Sequence, residues 1–380
     1  MRNEVLSQIL NEKVLYSTST TNTELLPKSI MEATLVVDCH CELGEGVLYD
    51  DIQNCILWTD IDGKQFHSLD LTDGSHRTKD LPKMLCSFAM LQQPPHPEEH
   101  GNDNGSNCGV YLCAWEDGFQ LYDIENSQAW SEMSMGENPN PMNLPSRLND
   151  GRVDPSGKRF ICGGYNGDID GCTMKVFKCE IITAETTTHG SGGTKKQQQQ
   201  QQQQQLRHDV LVDSITVTNS ICFSPNGKTF YLADSPTKEI VRYNYDMVNG
   251  TFSTFFKEDD ATSSSSSSSS RVVCKHDVGV PDGSCVDSQG NIWNAVWRGG
   301  DGPSMVKCIN PVNGEVLCTV RMPDSTSQVT CCCFGGKDLD ILFITTAKIG
   351  LENQGKEEPN AGGLYAVKVG VKGCLEKRFE

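Results

Sequence analysis

Asn149-Asp-Gly-Arg-Val-Asp-Pro-Ser-Gly157 decides the fold, because its spacing returns twice along the chain. The two other copies are Asn219-Ser-Ile-Cys-Phe-Ser-Pro-Asn-Gly227 and Asp282-Gly-Ser-Cys-Val-Asp-Ser-Gln-Gly290. In each copy, Asp or Ser follows the leading polar residue by five positions and Gly follows it by eight. The residue three positions after that Gly is aromatic in all three copies, namely Phe160, Phe230 and Trp293. This pattern is typical of a strand, a tight turn and a return strand whose aromatic residue enters the core.

Three further units complete the repeat. Glu45 begins a weaker copy, in which Asp50 follows five positions later and Trp58 lies in the return strand. Two units without a leading ligand-type residue cover Ser87–Asp123 and Thr330–Leu342. The intervening segments are short and rich in β-branched and aromatic residues, and helical periodicity is scarce after residue 30. Six units of four strands predict an all-β chain folded as a six-bladed β-propeller, with a β-sandwich as the main alternative.

Polar, low-complexity segments interrupt this pattern without dividing it. We expect residues 1–30 to form a partly disordered tail with one short helix near residues 5–14, and residues 31–380 to form a single propeller domain. Segments 92–107, 183–208 and 258–271 contain almost no apolar residues that could offset the cost of ordering. Because closure cost rises only logarithmically with loop length, we predict that all three are long disordered insertions between strands.

Composition limits the partners of the chain. Its 50 acidic and 32 basic residues give a net charge of −18 and a pI near 4.8. Such a surface repels phosphate backbones and anionic lipid headgroups, which argues against nucleic-acid and membrane-surface roles. No segment approaches the ~18 consecutive apolar residues of a membrane span. The N-terminal residues lack the apolar core of a secretory signal, so we expect a cytoplasmic protein.

The 18 cysteines show no paired Cys-x-x-Cys spacing of the zinc-binding kind. We interpret most of them as small buried hydrophobic residues. Cys39 and Cys41 flank His40, which we interpret as a strand residue and not as a ligand.

The repeat also predicts a site. Inner strands of a propeller surround a central channel, so residues at one register lie on one ring. Glu45, Asn149, Asn219 and Asp282 share that register and would bring four oxygen donors to one point, a set that suits a divalent cation. Taken singly, each motif is also compatible with ordinary turn chemistry. Arg147 lies two residues before Asn149 on the same side of the strand, and its guanidinium is suited to binding an oxygen-rich substrate.

Five motifs occur in a characteristic order: Leu43-Gly-Glu-Gly46, Arg147-Leu-Asn-Asp-Gly-Arg-Val-Asp-Pro-Ser-Gly157, Thr218-Asn-Ser-Ile221, Val280-Pro-Asp-Gly-Ser-Cys-Val-Asp287 and Cys332-Cys-Phe-Gly-Gly-Lys-Asp338. Through them the chain, from about residue 34 to its C-terminus, resembles the gluconolactonase/regucalcin (senescence marker protein)/luciferin-regenerating enzyme family of six-bladed propellers. The resemblance implies that Glu45, Asn219 and Asp282 bind a metal ion. It also implies that Asp282 is the proton acceptor and donor, and that Arg147 and Asn149 contact the substrate.

Two departures from the family pattern concern the site. Ser220 stands where the family usually has glycine after the metal-binding asparagine. A family glutamate that contacts substrate has no clear match, and Asp168 and Asp170 are the candidates to replace it.

The resemblance implies a metal-dependent hydrolase that opens a sugar-type lactone, a small-molecule substrate, with Asp282 as general base and acid. The expected cofactor is one divalent ion, Ca²⁺ or Zn²⁺ in the first place and Mg²⁺ or Mn²⁺ as further options. Alternatives are a non-enzymatic calcium-binding regulatory protein and an organophosphate hydrolase on the same propeller. The sequence leaves the particular lactone and the oligomeric state open.

Overall fold

A computed structural model of the chain describes residues 2–11, 30–92, 109–134, 146–167, 174–184, 203–253, 271–299, 303–323, 326–355 and 357–380. Its strands form six separate sheets. The innermost strands of consecutive sheets contact one another, and the last contacts the first. This closed ring confirms the six-bladed β-propeller and the nearly all-β class. None of the helices in the described ranges has the length and apolar character needed to cross a membrane.

Each blade is built from its inner strand outward. Helix α1 (Arg2–Asn11) precedes β1 (Ile30–Glu32) and β2 (Thr34–Val37). Blades 1 to 3 consist of β3 (Gly44–Asp50), β4 (Cys55–Asp60), β5 (Gln65–Asp70), β6 (His76–Asp80); β7 (Leu85–Met90), β8 (Val110–Trp115), β9 (Gly118–Asp123), β10 (Gln128–Ala129); and β11 (Ser146–Val153), β12 (Phe160–Asn166), β13 (Met174–Ala184), β14 (Gln203–Ile215).

Blades 4 to 6 follow the same plan. They consist of β15 (Thr218–Phe223), β16 (Thr229–Asp234), β17 (Glu239–Asp246), β18 (Thr251–Ser253), β19 (Val272–Lys275); β20 (Val280–Val286), β21 (Ile292–Trp297), β22 (Met305–Ile309), β23 (Val316–Arg321); and β24 (Val329–Gly335), β25 (Ile341–Thr346), β26 (Leu364–Lys368). Short 3₁₀ helices cover Ser235–Thr237 and Glu352–Gln354.

The N-terminal residues close the ring. Strand β2 pairs antiparallel with β26 and completes blade 6, while β1 pairs parallel with β23 and adds a fifth strand to blade 5. Helix α1 packs against blade 6, because Leu6 and Ile9 lie on one face and are buried in its hydrophobic cluster. The expected short helix near residues 5–14 is present as α1, although it begins and ends earlier and packs on the propeller, and the expectation of a tail is wrong for residue 30, which belongs to β1. Residues 12–29 lie outside the described residues.

The repeated motif forms the turn that its spacing predicts. The Gly157 N–H donates to the Asp154 carbonyl at 3.0 Å, and Gly157 has a φ of 81°. A side chain is strained at such a φ, which is why glycine occupies the position. The equivalent glycines are Gly227 (φ 70°) and Gly290 (φ 90°). The aromatic residues that follow are buried in the blades, namely Phe160, Phe230 and Trp293.

The expected insertions fall largely on residues 93–108, 185–202 and 254–270, which lie outside the described residues. At the second one, the structure contains more strand than expected. Strands β13 and β14 pair as far as Ala184 and Gln203. The prediction of a loop over residues 183–208 is therefore wrong at both ends. Ile181 and Leu206 face each other on these strands and pack against the core between blades 2 and 3, so this hairpin has apolar support that composition concealed.

Candidate metal and substrate site

The inner strands carry backbone bulges where the site residues lie. Register shifts occur at or directly after Glu45, Asn149, Asn219 and Asp282 in the pairing of β3, β11, β15 and β20 with their neighbours. A bulge interrupts the ladder and re-aims the adjacent side chain. The same irregularity in four blades therefore turns four polar side chains toward the channel, where regular strands would continue their pairing.

These four side chains meet at one cavity of about 1200 Å³. The Asn149 Nδ2 group donates to the Asn219 Oδ1 atom at 3.2 Å and to the Thr218 carbonyl at 2.8 Å. The Asn219 Nδ2 group donates to the Ser235 Oγ atom at 2.9 Å, which leaves the Asn219 oxygen on the side of the cluster. The structure thus brings together all the residues that the shared register selected, and each of them is buried.

Burial and mutual repulsion raise the pKa values of the carboxyl groups. Burial is the main cause that raises the pKa of Glu45 to about 8, and the charge of Asp150 adds to it. Burial also raises the pKa of Asp282 well above its usual range, and Glu45 and then Asp150 contribute further. The Arg147 guanidinium lowers both pKa values, but its effect on the pKa of Glu45 is smaller than those of burial, of Asp150 and of the Gly46 N–H group. The cluster therefore retains protons near neutral pH unless a cation replaces them.

Asp150 is a member of this cluster that the sequence analysis missed. Its Oδ2 atom accepts a hydrogen bond from the Ile221 N–H at 2.8 Å, which joins β11 to β15 across the channel. Burial raises its pKa to about 6. The available signal was its place directly after Asn149, within the bulge, but that position was interpreted only as part of a turn motif.

Arg147 is the only basic side chain among the described residues that line the cavity. Its Nη1 group donates to the Leu148 carbonyl at 3.0 Å and to the Asn149 Oδ1 atom. Its guanidinium lies over the Tyr165 ring, 4.6 Å from the ring centroid. These contacts hold a buried, always-charged donor group beside the carboxylates. Asp168 and Asp170, the candidates for the missing glutamate, lie outside the described residues.

The walls of the cavity are acidic and apolar. Acidic side chains at the wall that the sequence analysis did not select are Asp62, Glu116 and Asp117. Apolar and aromatic wall residues include Met84, Met133, Tyr165, Val217, Val280 and Trp297. Such walls suit a small, uncharged and hydroxyl-rich molecule, because carboxylates accept hydrogen bonds from hydroxyl groups and repel anions.

The donor set fits a divalent ion. Glu45 and Asp282 supply carboxylates and Asn219 an amide oxygen, which are ligands of hard cations. A bound ion would also neutralise the repulsion that raises the pKa values of the buried carboxyl groups. These residues therefore have the ligand types of a cation site, and their carboxylates carry the negative charge that a cation would balance.

The backbone conformation and hydrogen bonds of Ser220 explain how serine replaces the glycine that the family usually has at this position. It adopts a φ of 58°, a left-handed conformation that favours glycine. Its Oγ atom donates to the Asp282 carbonyl at 2.7 Å and accepts from the Asn294 Nδ2 group at 3.0 Å. These two hydrogen bonds offset the backbone strain and tie β15 to β20 next to the site.

Comparisons with known proteins agree with this architecture. The sequence profile described as the SMP-30/Gluconolactonase/LRE-like region matches residues 43–348. A Bacillus subtilis (strain 168) protein named as a candidate sugar lactone lactonase is 25% identical over 353 residues, which cover 89% of this chain and 95% of that protein. Regucalcin from Sus scrofa is 26% identical over 347 residues, which cover 90% of this chain and 96% of that protein.

A solved structure gives the same result for the fold. The calcium-binding protein regucalcin from Agrobacterium tumefaciens superposes with a TM-score of 0.67 at 23% identity. The superposition covers 93% of this chain and 99% of that chain. The profile match runs from the last residue before β3 to just past β25, and so includes part or all of every blade.

Proposed function

Because the chain belongs to the SMP-30/gluconolactonase/LRE-like family, we propose that it is a metal-dependent hydrolase that opens a sugar-type lactone. One observation supports this proposal above the others. Two buried carboxylates with raised pKa values, Glu45 and Asp282, share the floor of one cavity with the buried Arg147. A purely structural channel would pair or neutralise such groups, whereas a hydrolytic site uses them.

Glu45, Asn219 and Asp282 would hold the ion. When bound, the ion supplies Lewis-acid polarisation of the lactone carbonyl and neutralises charge that develops on its oxygen. The native ion is part of the proposal, with Ca²⁺ and Zn²⁺ as the first candidates and Mg²⁺ and Mn²⁺ after them. The all-oxygen donor set favours the harder ions of this group.

Asp282 would act as general base and acid. Its carboxylate takes a proton from the attacking water and returns it to the hydroxyl group that leaves as the ring opens. Its backbone carbonyl accepts from the Ser220 Oγ atom at 2.7 Å and the Asn294 Nδ2 group at 3.0 Å. These bonds fix the main chain of Asp282, so the carboxylate is held at a constant place while it exchanges the proton.

Arg147 and Asn149 would align the substrate. The guanidinium of Arg147 is held by the Tyr165 ring and by Asn149, and donates to ring or exocyclic oxygens of the sugar. Both amide hydrogens of Asn149 are already engaged, with the Thr218 carbonyl and the Asn219 oxygen. A substrate contact through the Asn149 Nδ2 group therefore exchanges one of these bonds, and exchange of the bond to Asn219 couples substrate binding to the orientation of Asn219.

The test is a panel of aldonolactones and one organophosphate triester, supplied to metal-stripped protein with one divalent ion at a time. We expect no turnover without an ion and lactone turnover with at least one of them. Arg147→Lys keeps the charge but removes the planar donor geometry, so it should raise KM for hydroxyl-rich lactones. Tight ion binding without turnover of any lactone would favour the calcium-binding regulatory alternative, and turnover of the triester alone would favour the organophosphate hydrolase.

A further inference from the structure

A second group of metal-binding side chains lies outside the channel. We call Cys39, Cys41, Asp60 and His67 the seam cluster. The Cys41 Sγ atom lies 3.5 Å from the Cys39 Sγ atom and 3.6 Å from the His67 Nε2 atom. One ligand atom each from Cys41, Asp60 and His67 lies within 4.8 Å of the others, and these three residues are buried. Soft and borderline ligands are therefore concentrated in one place.

The seam cluster is separate from the proposed lactonase site. None of its residues is among those that line the central cavity. Cys41 belongs to the hydrophobic cluster that blades 1 and 6 share, together with Trp58 of blade 1 and Phe343 of blade 6. The site thus lies at the seam where the ring closes.

The backbone between the two cysteines is shaped for this arrangement. His40 adopts a φ of 54° in an irregular segment and is exposed, so its interpretation as a strand residue is wrong. The Cys41 N–H donates to the Gly362 carbonyl at 2.9 Å. A Cβ atom on Gly362 would lie only 2.2 Å from the Cys41 carbonyl oxygen, so glycine permits this close approach. The loop before β26 thereby clamps Cys41 in position.

The other two side chains are held by neighbours as well. The His67 Nδ1 atom lies 3.1 Å from the His76 Nε2 atom, and the His67 ring stacks on Trp58 with centroids 5.0 Å apart. Both contacts direct the Nε2 atom toward Cys41, as second partners do for metal-bound histidines. The Asp60 Oδ1 atom accepts from two backbone N–H groups and the Oδ2 atom from one, which leaves Oδ2 with capacity for one more bond.

Two of the separations match edges of a tetrahedral zinc site. Zn–S bonds of about 2.3 Å and Zn–N bonds of about 2.0–2.1 Å give S–S edges of about 3.8 Å and S–N edges of about 3.5 Å. The observed separations are 3.5 Å for the two sulfurs and 3.6 Å for sulfur and nitrogen. Both lie close to the tetrahedral values.

We propose that Cys41, His67 and Asp60 form a second metal site, which takes Zn²⁺, and that Cys39, whose sulfur lies 3.5 Å from that of Cys41, turns to supply the fourth ligand. Two thiolates, one imidazole and one carboxylate are the ligand types of structural zinc sites. The channel cluster offers only oxygen, so the two sites differ in ion preference. A bound zinc ion would join the segment before β3 to blade 1 and stabilise the closure of the ring.

The experiment uses the full chain, stripped of metal and kept reduced, and titrates it with Co²⁺ as a spectroscopic substitute for Zn²⁺. Coordination by cysteine produces sulfur-to-cobalt charge-transfer absorption, and oxygen ligands alone do not produce it. We expect this absorption in the parent chain and in Asp282→Asn. Cys41→Ser should abolish it, and His67→Gln should weaken cobalt affinity by at least about 10-fold.

Cys55→Ser is the matched control, because it places the same hydroxyl in another buried cysteine position of blade 1. It should retain the absorption, and circular dichroism confirms that each variant is folded. Zinc content of the untreated protein, by mass spectrometry, should fall in Cys41→Ser and not in Cys55→Ser. A reduced, folded parent chain without the absorption, or equal absorption in Cys41→Ser, overturns the proposal. Neither result bears on lactone turnover.

Discussion

The two ends of the central channel differ in whether the charges of their side chains are balanced by neighbouring groups. At the cavity end, Glu45 and Asp282 are buried carboxylates whose pKa values are raised, and Arg147 is the only basic residue of the cavity wall among those described. Five residues after Arg147 on the same inner strand, the buried Arg152 forms an ion pair with the partly buried Glu376. Its Nε and Nη2 groups donate to the Ile221 and Ser284 carbonyls at 2.9 Å each. One end is left with unbalanced charge, and the other is balanced.

The balanced end is closed by the C-terminal segment. The Phe379 N–H donates to Met90 of blade 2, and the Glu380 N–H donates to Gly157 of blade 3. Gly373 forms a bridge with Asp287 of blade 5. The segment therefore crosses several blades and brings Glu376 to Arg152. The unbalanced charge at the cavity end is the feature on which the proposed cation site rests.

The largest expected effect tests the unbalanced end. Asp282→Asn should lower kcat/KM for the lactone by about 10³-fold or more, equivalent to about 4 kcal/mol of transition-state stabilisation. The metal-free variant should be at least as stable as its parent, because a buried carboxyl group is replaced by a neutral side chain of the same shape. Steady-state kinetics and thermal denaturation measure the two quantities.

Asp117→Asn serves as the control for that variant, because Asp117 lines the same cavity but pairs with Lys83. It should cause a much smaller loss of turnover. Near-parental rates in Asp282→Asn would contradict the assignment of Asp282 as the base.

A substitution at the balanced end should mainly change the free energy of unfolding. Arg152→Leu removes the partner of Glu376 and the donor to two carbonyls, and should lower the free energy of unfolding by about 3 kcal/mol. Urea denaturation measures it. Lys275→Met breaks an exposed pair with Glu239, whose atoms are 3.0 Å apart, and should cost about 0.5 kcal/mol or less. Equal effects in both variants would show that the Arg152–Glu376 pair at the balanced end does not stabilise the fold.

A smaller effect is expected on the gain in Tm that a bound ion produces at the cavity end, measured as a function of pH. The pKa of Glu45 is about 8 in the folded chain against a usual 4.5, so its burial destabilises the metal-free fold as pH rises from 4.5 to 8. A divalent ion must displace the retained proton at pH 6 but not at pH 8.5. The gain in Tm from a fixed concentration of Ca²⁺ should therefore be larger at pH 8.5, and this difference should shrink in Glu45→Gln. A pH-independent gain in the parent chain would refute this.

The smallest effect concerns Ser220. Ser220→Ala keeps the left-handed strain and loses the bonds to Asp282 and Asn294, so it should cost about 1–2 kcal/mol. Ser220→Gly loses the same bonds but relieves strain of about 1–2 kcal/mol. Its free energy of unfolding should therefore lie close to that of the parent chain. Both variants lose the same hydrogen bonds, so if Ser220→Ala were tolerated as well as Ser220→Gly, the backbone strain at this position would be the minor contribution.

The repeat made the fold and the four site positions predictable. Turn spacing and alternation are local properties, and equal register in a ring places Glu45, Asn149, Asn219 and Asp282 together without knowledge of any distance. The tight turns at Gly157, Gly227 and Gly290 followed from the same local spacing, and each of these glycines has a positive φ.

Other parts of the molecule depend on contacts that local patterns do not encode. Asp150 acquires its place in the cluster through a bulge and a bond to Ile221 on another blade. Arg152 meets Glu376 across 224 residues of chain, and Cys41 meets His67 across 26. The cysteines were interpreted as packing residues because spacing along the chain, not proximity in space, was the only available criterion.

By itself, the amino-acid sequence determined the blade repeat, the number of blades and the ring of oxygen donors, because each depends on periodicity that a strand and its turn impose locally. Only the tertiary structure decided which charges are balanced and which ligands meet. The Arg152–Glu376 pair depends on the C-terminal segment that crosses the blades, and the seam cluster depends on the segment that leads from β2 in blade 6 to β3 in blade 1.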